Sequence, residues 1–183
     1  MVKYYYDTTV FGYFVFTNDW EHEYSPTKVN GYSSVFCDEE LIYVSMRGKF
    51  YDWGKPVPFM ELSERLLDVG SLFSVEEVDT RDLRTKFLGF LGYLAQNGVN
   101  LQDDFSKPGG DGAGKPMEGM DWLHLTMADL LGCDTVLTSD MGFGYLKKAG
   151  KYIHLENVKK IIIFTSEEKL EKKEEIDLSA PPE

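Results

Sequence analysis

The sequence predicts an α/β domain, a three-layer sandwich around a central, mainly parallel sheet. Three observations predict it. Short apolar runs with strand-forming residues, VKYYY at 2–6, LFSVEEV at 72–78, DTVLTSD at 134–140 and VKKIIIF at 158–164, are separated by segments with helical spacing. A chain of 183 residues, 43% of them apolar, suits one domain able to bury a sizeable core. No run of 18 apolar residues interrupts the alternation, so no membrane span is expected. In sheets of this kind the ligand site lies outside the carboxyl ends of the strands.

Taken in order, VKYYY leads straight into Asp7, and the following apolar run VFGYFVF opens a helix with Thr8 or Thr9 near its cap. NDWEHEYSPT is polar and reads as a connection. In VNGYSSVFCDEELIYVSMRGKF the second half carries a helical stripe, closed by Gly48. PFMELSERLL, 58–67, has a proline start and apolar residues at helical spacing, and LRTKFLGFLGYLAQNG is a helix stopped by Asn97-Gly98. SKPGGDGAGKP, 106–116, is a flexible loop by composition; it is no phosphate loop, because its Gly-Lys is followed by Pro116 rather than Ser or Thr. MDWLHLTMADLLG is a helix with Asp121 in its first turn and Gly132 past its end, and DTVLTSD follows as a buried strand. Residues 1–165 therefore form the domain. Residues 166–183 form an acidic tail, read as a short solvated helix followed by a disordered Pro-Pro end.

Charge narrows the function classes. Asp and Glu total 31 against 19 Lys and Arg, a formal net charge of −12. An acidic body lacks the basic footprint of a tight nonspecific nucleic-acid binder, yet it is compatible with carboxylates gathered around a metal. The N-terminus has no clean apolar core with a small-residue cleavage site, and the two cysteines, Cys37 and Cys133, form no C-x-x-C pair. A cytoplasmic protein with reduced thiols is the expectation.

Two strands end in a carboxylate, Asp7 and Asp140, and Asp121 opens the helix before the second of them. Each has an ordinary explanation. Asp121 complements the positive end of a helix, while Asp140 and Asp7 suit turns. A parallel sheet brings the two strand ends to one edge, however, where three carboxylates repel unless a divalent cation neutralises them. Oxygen-only ligands suit Mg²⁺ or Mn²⁺, which keep several waters and bind substrate phosphates.

YYYDTTVF and MDWLHLTMADLLGCDTVLTSDMGF together closely resemble the PIN-domain nucleases. That family has a strand ending in Asp-Thr/Ser, a helix of the form Asp-x-Leu-His-Leu-x-x-Ala, then Gly-x-Asp, an apolar strand and Thr-x-Asp. The matching residues are Asp7-Thr8, Asp121 with His124 and Ala128, Gly132-Cys133-Asp134, and Thr138-Ser139-Asp140. The match over 121–143 is specific and the N-terminal one short; the likeness spans roughly 1–165, loosely between 15 and 115. The family's further acidic residue, often in a Glu-Leu pair on a helix after the first strand, corresponds to Glu40-Leu41, with Glu39 as the substitute. Where many members carry another acid two positions after the strand-end Asp, this chain has Gly142, which removes a ligand of a second ion.

The resemblance implies a PIN-like fold and metal-dependent hydrolysis of phosphodiesters, as an endoribonuclease of toxin or RNA-processing type. Asp7, Glu40, Asp121 and Asp140 would hold Mg²⁺ or Mn²⁺. Thr8, Thr138 and Ser139 would support them by hydrogen-bonding a carboxylate or a metal-bound water. Glu118 is a lesser candidate, and His124 reads as a packing residue. RNA is the implied substrate, and the implied partners are an antitoxin protein, as in members of the VapC type, and a second copy of the chain. The alternative is a non-catalytic PIN-like scaffold that binds RNA or protein. A phosphatase of the haloacid-dehalogenase type needs Asp-x-Asp where this chain has Asp7-Thr8-Thr9, and no Ser-His-Asp or Cys-His nucleophile is discernible.

Overall fold

A computed structural model describes residues 1–47, 57–76, 78–98, 117, 119–149, 154–166 and 169–179. The 106–116 loop, Gly48, Glu118 and the Pro-Pro end lie outside the described residues. Among those described, the strands are β1 (Lys3–Tyr6), β2 (Asn30–Ser34), β3 (Ser74–Glu76), β4 (Thr135–Thr138), β5 (Lys160–Phe164) and β6 (Lys172–Asp177). The helices are α1 (Thr8–Thr17), α2 (Val35–Met46), α3 (Phe59–Gly70), α4 (Thr80–Gln96) and α5 (Gly119–Leu130), followed by a 3-10 helix over Met141–Tyr145 and a short α6 (Leu146–Ala149).

The strands make one sheet in the order β3-β2-β1-β4-β5-β6, parallel throughout except for β6. Successive strand residues point to opposite faces, so burial of all four residues of β4, and of the last four of β5, requires cover on both sides. That cover comes from α1 with α2 and α3, and from α5 with α4. The architecture is α/β and consistent with a three-layer sandwich. Helix α1 is apolar all round, with every residue from Val10 to Phe16 buried, as a helix must be when core surrounds it.

Three elements depart from the sequence reading. Strand β2, NGYSS, was hidden by poor strand formers. Its reason to exist is tertiary: a Cβ on Gly31 would lie 2.6 Å from Tyr6 Cε2, so glycine lets β2 pass the Tyr6 ring on neighbouring β1. Strand β3 is only three residues long, shorter than the 72–78 run. The tail is not the short solvated helix its charges suggest; Lys172–Asp177 are strand β6, paired antiparallel with β5 through Ile161 opposite Ile176. Burial explains it, since Ile176, opposite buried Ile161, and the preceding Leu170 are both buried and draw the segment onto the β5 edge. The sheet thus continues past residue 165 rather than stopping there.

One buried carboxylate outside the candidate site holds the entry to β5. Asp129, near the end of α5, accepts from the backbone N–H groups of Glu156, Asn157 and Val158 at 3.2, 2.7 and 3.0 Å, and pairs with Lys86 of α4 at 2.5 Å. Burial alone would raise its pKa, but Lys86 and the three amides outweigh this and hold it below the usual carboxylate value.

Candidate functional site

The order β3-β2-β1-β4-β5 reverses direction between β1 and β4, because β2 and β3 extend one way and β4 and β5 the other. A crevice outside the carboxyl ends of two such strands is where open α/β sheets bind ligands. Tyr6 of β1 stands opposite Leu137 of β4, so the next residues at this crevice are Asp7 and the Thr138-Ser139-Asp140 turn.

Asp7 is buried and caps α1, a role the sequence reading gave to Thr8 or Thr9. Its Oδ1 accepts from the backbone N–H of Thr9 at 3.0 Å and of Val10 at 3.1 Å. Two hydroxyls then lace it to β4. Thr138 Oγ1 donates to Asp7 Oδ2 at 2.5 Å and accepts from Asp140 N at 2.9 Å. Thr9 Oγ1 donates to Asp7 Oδ1 at 2.6 Å and accepts from Ser139 N at 2.8 Å. Burial pushes the Asp7 carboxyl up to about 6, against the pull of His124 and of the Thr138 and Thr9 hydroxyls.

Asp140 caps the 3-10 helix, its Oδ1 accepting from Gly142 N at 2.6 Å. Gly142 therefore offers a backbone donor where a further acid would offer a ligand. Asp121 lies in the first turn of α5 and is nearly buried. Its i+3 neighbour on the helix is His124.

Glu40 joins from α2. Its Oε2 accepts from the Thr8 hydroxyl and, at 3.0 Å, from His124 Nε2, while Glu39 is exposed. The other His124 nitrogen, Nδ1, lies 2.9 Å from the Tyr5 hydroxyl and 3.8 Å from Cys37 Sγ. Burial would lower the His124 pKa, yet the facing Cys37, Glu40 and Asp7 prevail and raise it well above the ordinary imidazole value. Glu40 responds in the opposite sense. Burial alone would raise it, but the bonds from His124 and Thr8 hold it below the ordinary value.

Of the residues singled out in the sequence, Asp7, Glu40, Asp140, Thr8 and Thr138 are thus joined at one edge, with Asp121 one turn from His124. Ser139 hydrogen-bonds no carboxylate; its buried hydroxyl has no partner among the described residues. Three further residues contribute: Thr9, Tyr5 and His124. Thr9 and Tyr5 look like ordinary core or cap residues until β1 is paired. His124 is more than packing, since it bonds Glu40. The thiol of Cys37 does face an imidazole, a pairing invisible in sequence, but Cys37 is 0% and His124 2% exposed, so no substrate reaches that sulfur.

An all-oxygen set of Asp7, Glu40, Asp121 and Asp140 fits Mg²⁺ or Mn²⁺ rather than softer metals. Among the described residues no three His, Cys, Asp or Glu side chains already converge to ligate an ion directly. Mg²⁺ is commonly held by one or two carboxylates while it keeps several waters, which needs no three-acid cluster. The unpartnered Ser139 hydroxyl is a second sign of fit, because a buried unmet donor is costly and a water at the site would satisfy it. No protein-family model matches the chain, and no curated protein does.

Proposed function

We propose that this chain is a PIN-like, Mg²⁺- or Mn²⁺-dependent endoribonuclease. One observation carries the reading. Parallel pairing of β1 with β4 at the switch point sets the Asp7 carboxylate and the Asp140 turn on opposite sides of a single hydroxyl, Thr138, with Glu40 tied to the adjoining Thr8. The order of acidic residues along the chain and the Asp-Thr and Thr-Ser-Asp strand ends support the PIN-like assignment.

A bound Mg²⁺ or Mn²⁺ would lower the pKa of a coordinated water and offset charge developing on the scissile phosphate. The chain's own residues do the rest. Asp7 and Asp140, fixed by Thr9, Thr138 and the Gly142 amide, present oxygens that need no reorganisation on binding. Glu40 and Asp121 complete the acidic set from α2 and α5. The toxin or RNA-processing role, the antitoxin and the second copy of the chain all rest on the resemblance.

The test is cleavage of a varied set of single-stranded RNAs with Mg²⁺ or Mn²⁺, wild type beside Asp140→Asn. Metal-dependent cleavage is expected in wild type and is lost in the variant. Cleavage undiminished in Asp140→Asn refutes the assignment. A second reading is a non-catalytic scaffold that binds RNA or protein; the net charge of −12 repels a phosphate backbone and favours its protein-binding form. Absence of cleavage in both proteins across the RNA set selects that reading.

A further inference from the structure

We propose that His124 is a positioning residue: braced by Tyr5, it sets the Glu40 carboxylate in the orientation that receives the cation. This rests on the reading of the strand-edge carboxylates as a metal site.

His124 touches or sits on the elements that bring Asp7, Glu40 and Asp121 to the edge; Asp140 arrives separately, from the end of β4. The His124 Nε2 reaches Glu40 of α2 at 3.0 Å and Thr8 Oγ1, the first residue of α1 and neighbour of Asp7, at 3.3 Å. Its own helix carries Asp121 one turn earlier. Tyr5 of β1 meets Nδ1 at 2.9 Å. One ring therefore spans β1, α1, α2 and α5. Only one residue, Tyr6, separates Tyr5 from Asp7, so the brace is anchored in the strand that delivers the first carboxylate.

The ring has little freedom to turn. The Tyr5 hydroxyl also meets Ser34 Oγ at 3.0 Å, at the junction of β2 and α2, and the His124 side chain is 3% exposed. Glu40 is different: its side chain is 28% exposed and has three rotatable bonds. Both of its bonds, from Thr8 and from His124, fall on Oε2. That restrains the rotamer and leaves Oε1 as the oxygen available to an ion or its water. Because a carboxylate only accepts, Nε2 carries the hydrogen in this bond and is committed to Glu40 rather than to a metal. The imidazole thus acts through Glu40, as outer partners of metal-binding carboxylates do.

A core histidine that merely fills space predicts something else: its loss would lower stability and leave the metal affinity of folded protein unchanged. The two are separated by titrating the full-length chain with Mn²⁺, reading free Mn²⁺ by electron paramagnetic resonance on samples shown to be folded by circular dichroism. The proteins are wild type, Asp140→Asn, His124→Leu, His124→Gln and Tyr5→Phe. Leucine keeps most of the volume and offers no donor, whereas glutamine reaches the Nε2 position with an amide N–H.

Wild type is expected to bind Mn²⁺, and His124→Leu to bind it roughly 10- to 100-fold more weakly. His124→Gln should recover most of that loss. Tyr5→Phe keeps the ring and removes one hydrogen bond to His124, so its affinity should fall about five-fold. If His124→Leu does not fold, Tyr5→Phe and His124→Gln carry the test. Mn²⁺ binding in wild type that every folded His124 and Tyr5 variant matches overturns the proposal alone, and so does a His124→Gln protein no better than His124→Leu. Wild type that binds no Mn²⁺, or no more than Asp140→Asn does, overturns the metal-site reading and the proposal with it.

Discussion

A single buried carboxylate contributes with opposite sign depending on what faces it, and Asp7 and Asp129 show both. Asp7 has its pKa raised to about 6 by burial. Between its unfolded value, about 3.9, and 6 the native state binds more protons than the unfolded chain, so stability falls as pH rises through that window. Asp7→Asn, which can still cap α1, should therefore melt higher than wild type at pH 7 in metal-free buffer, by up to about 3 kcal/mol of stability. The difference should vanish near pH 4, and thermal melts at the two pH values check this. Asp129 is held below its ordinary value by Lys86 and three amides. Its contribution is present above the unfolded pKa and lost as pH falls through the lower folded one. Asp129→Ala leaves Lys86, 15% exposed, without its closest partner, and should cost about 3–5 kcal/mol in denaturant unfolding at pH 7. Gly31→Ala tests a close approach. The Tyr6 ring cannot retreat easily, being packed edge-on against Phe73 at 4.8 Å between centroids and bonded to Tyr24 O at 2.5 Å, so a loss of about 1–3 kcal/mol is expected.

At the scale of elements, the clearest consequence concerns β6. It covers the outer edge of β5, whose sequence KIIIF is the kind of apolar strand that pairs promiscuously when its edge is bare. Ending the chain after Glu171 should expose that edge and unseat Ile176 from Ile161. The expected outcome is a lower melting temperature with concentration-dependent association in size-exclusion chromatography. An unchanged, monodisperse protein would mean that β6 is an ornament rather than a protective strand. The helices divide in a similar way. The start of α1 is tied to the carboxylate edge through its Asp7 cap, whereas α4 meets the site's helix α5 near its far end, where Lys86 pairs with Asp129.

For the whole molecule, the proposed metal site would make stability depend on cations. An ion that binds only the native state stabilises it by mass action. Millimolar Mn²⁺ should raise the melting temperature of wild type. Asp140→Asn should respond much less, and an equal shift in both proteins would refute a specific site. At a free ion concentration about 100 times the dissociation constant, the gain is about 2.7 kcal/mol.

The alternation of β1, α1, α3, α4, α5, β4 and β5, the strand-end aspartates and the helix carrying Asp121 and His124 were legible in the sequence because each depends on local pattern: apolar runs, periodicity and capping residues within a few positions. The parallel sheet followed from strands alternating with helices. What tertiary structure alone decided was everything that depends on partners far away in the chain. Strand β2 has the composition of a turn and is a strand because Gly31 can lie against Tyr6. Strand β6 has the charge of a solvated tail and is a strand because β5 offers an unpaired edge and a place for Ile176. Glu40 rather than Glu39 meets the cluster because the α2 register turns it toward Thr8 and His124, residues 32 and 84 positions away in sequence. Local propensity spans a turn or two of chain, while hydrogen bonds and burial are settled by whatever surface the fold brings opposite.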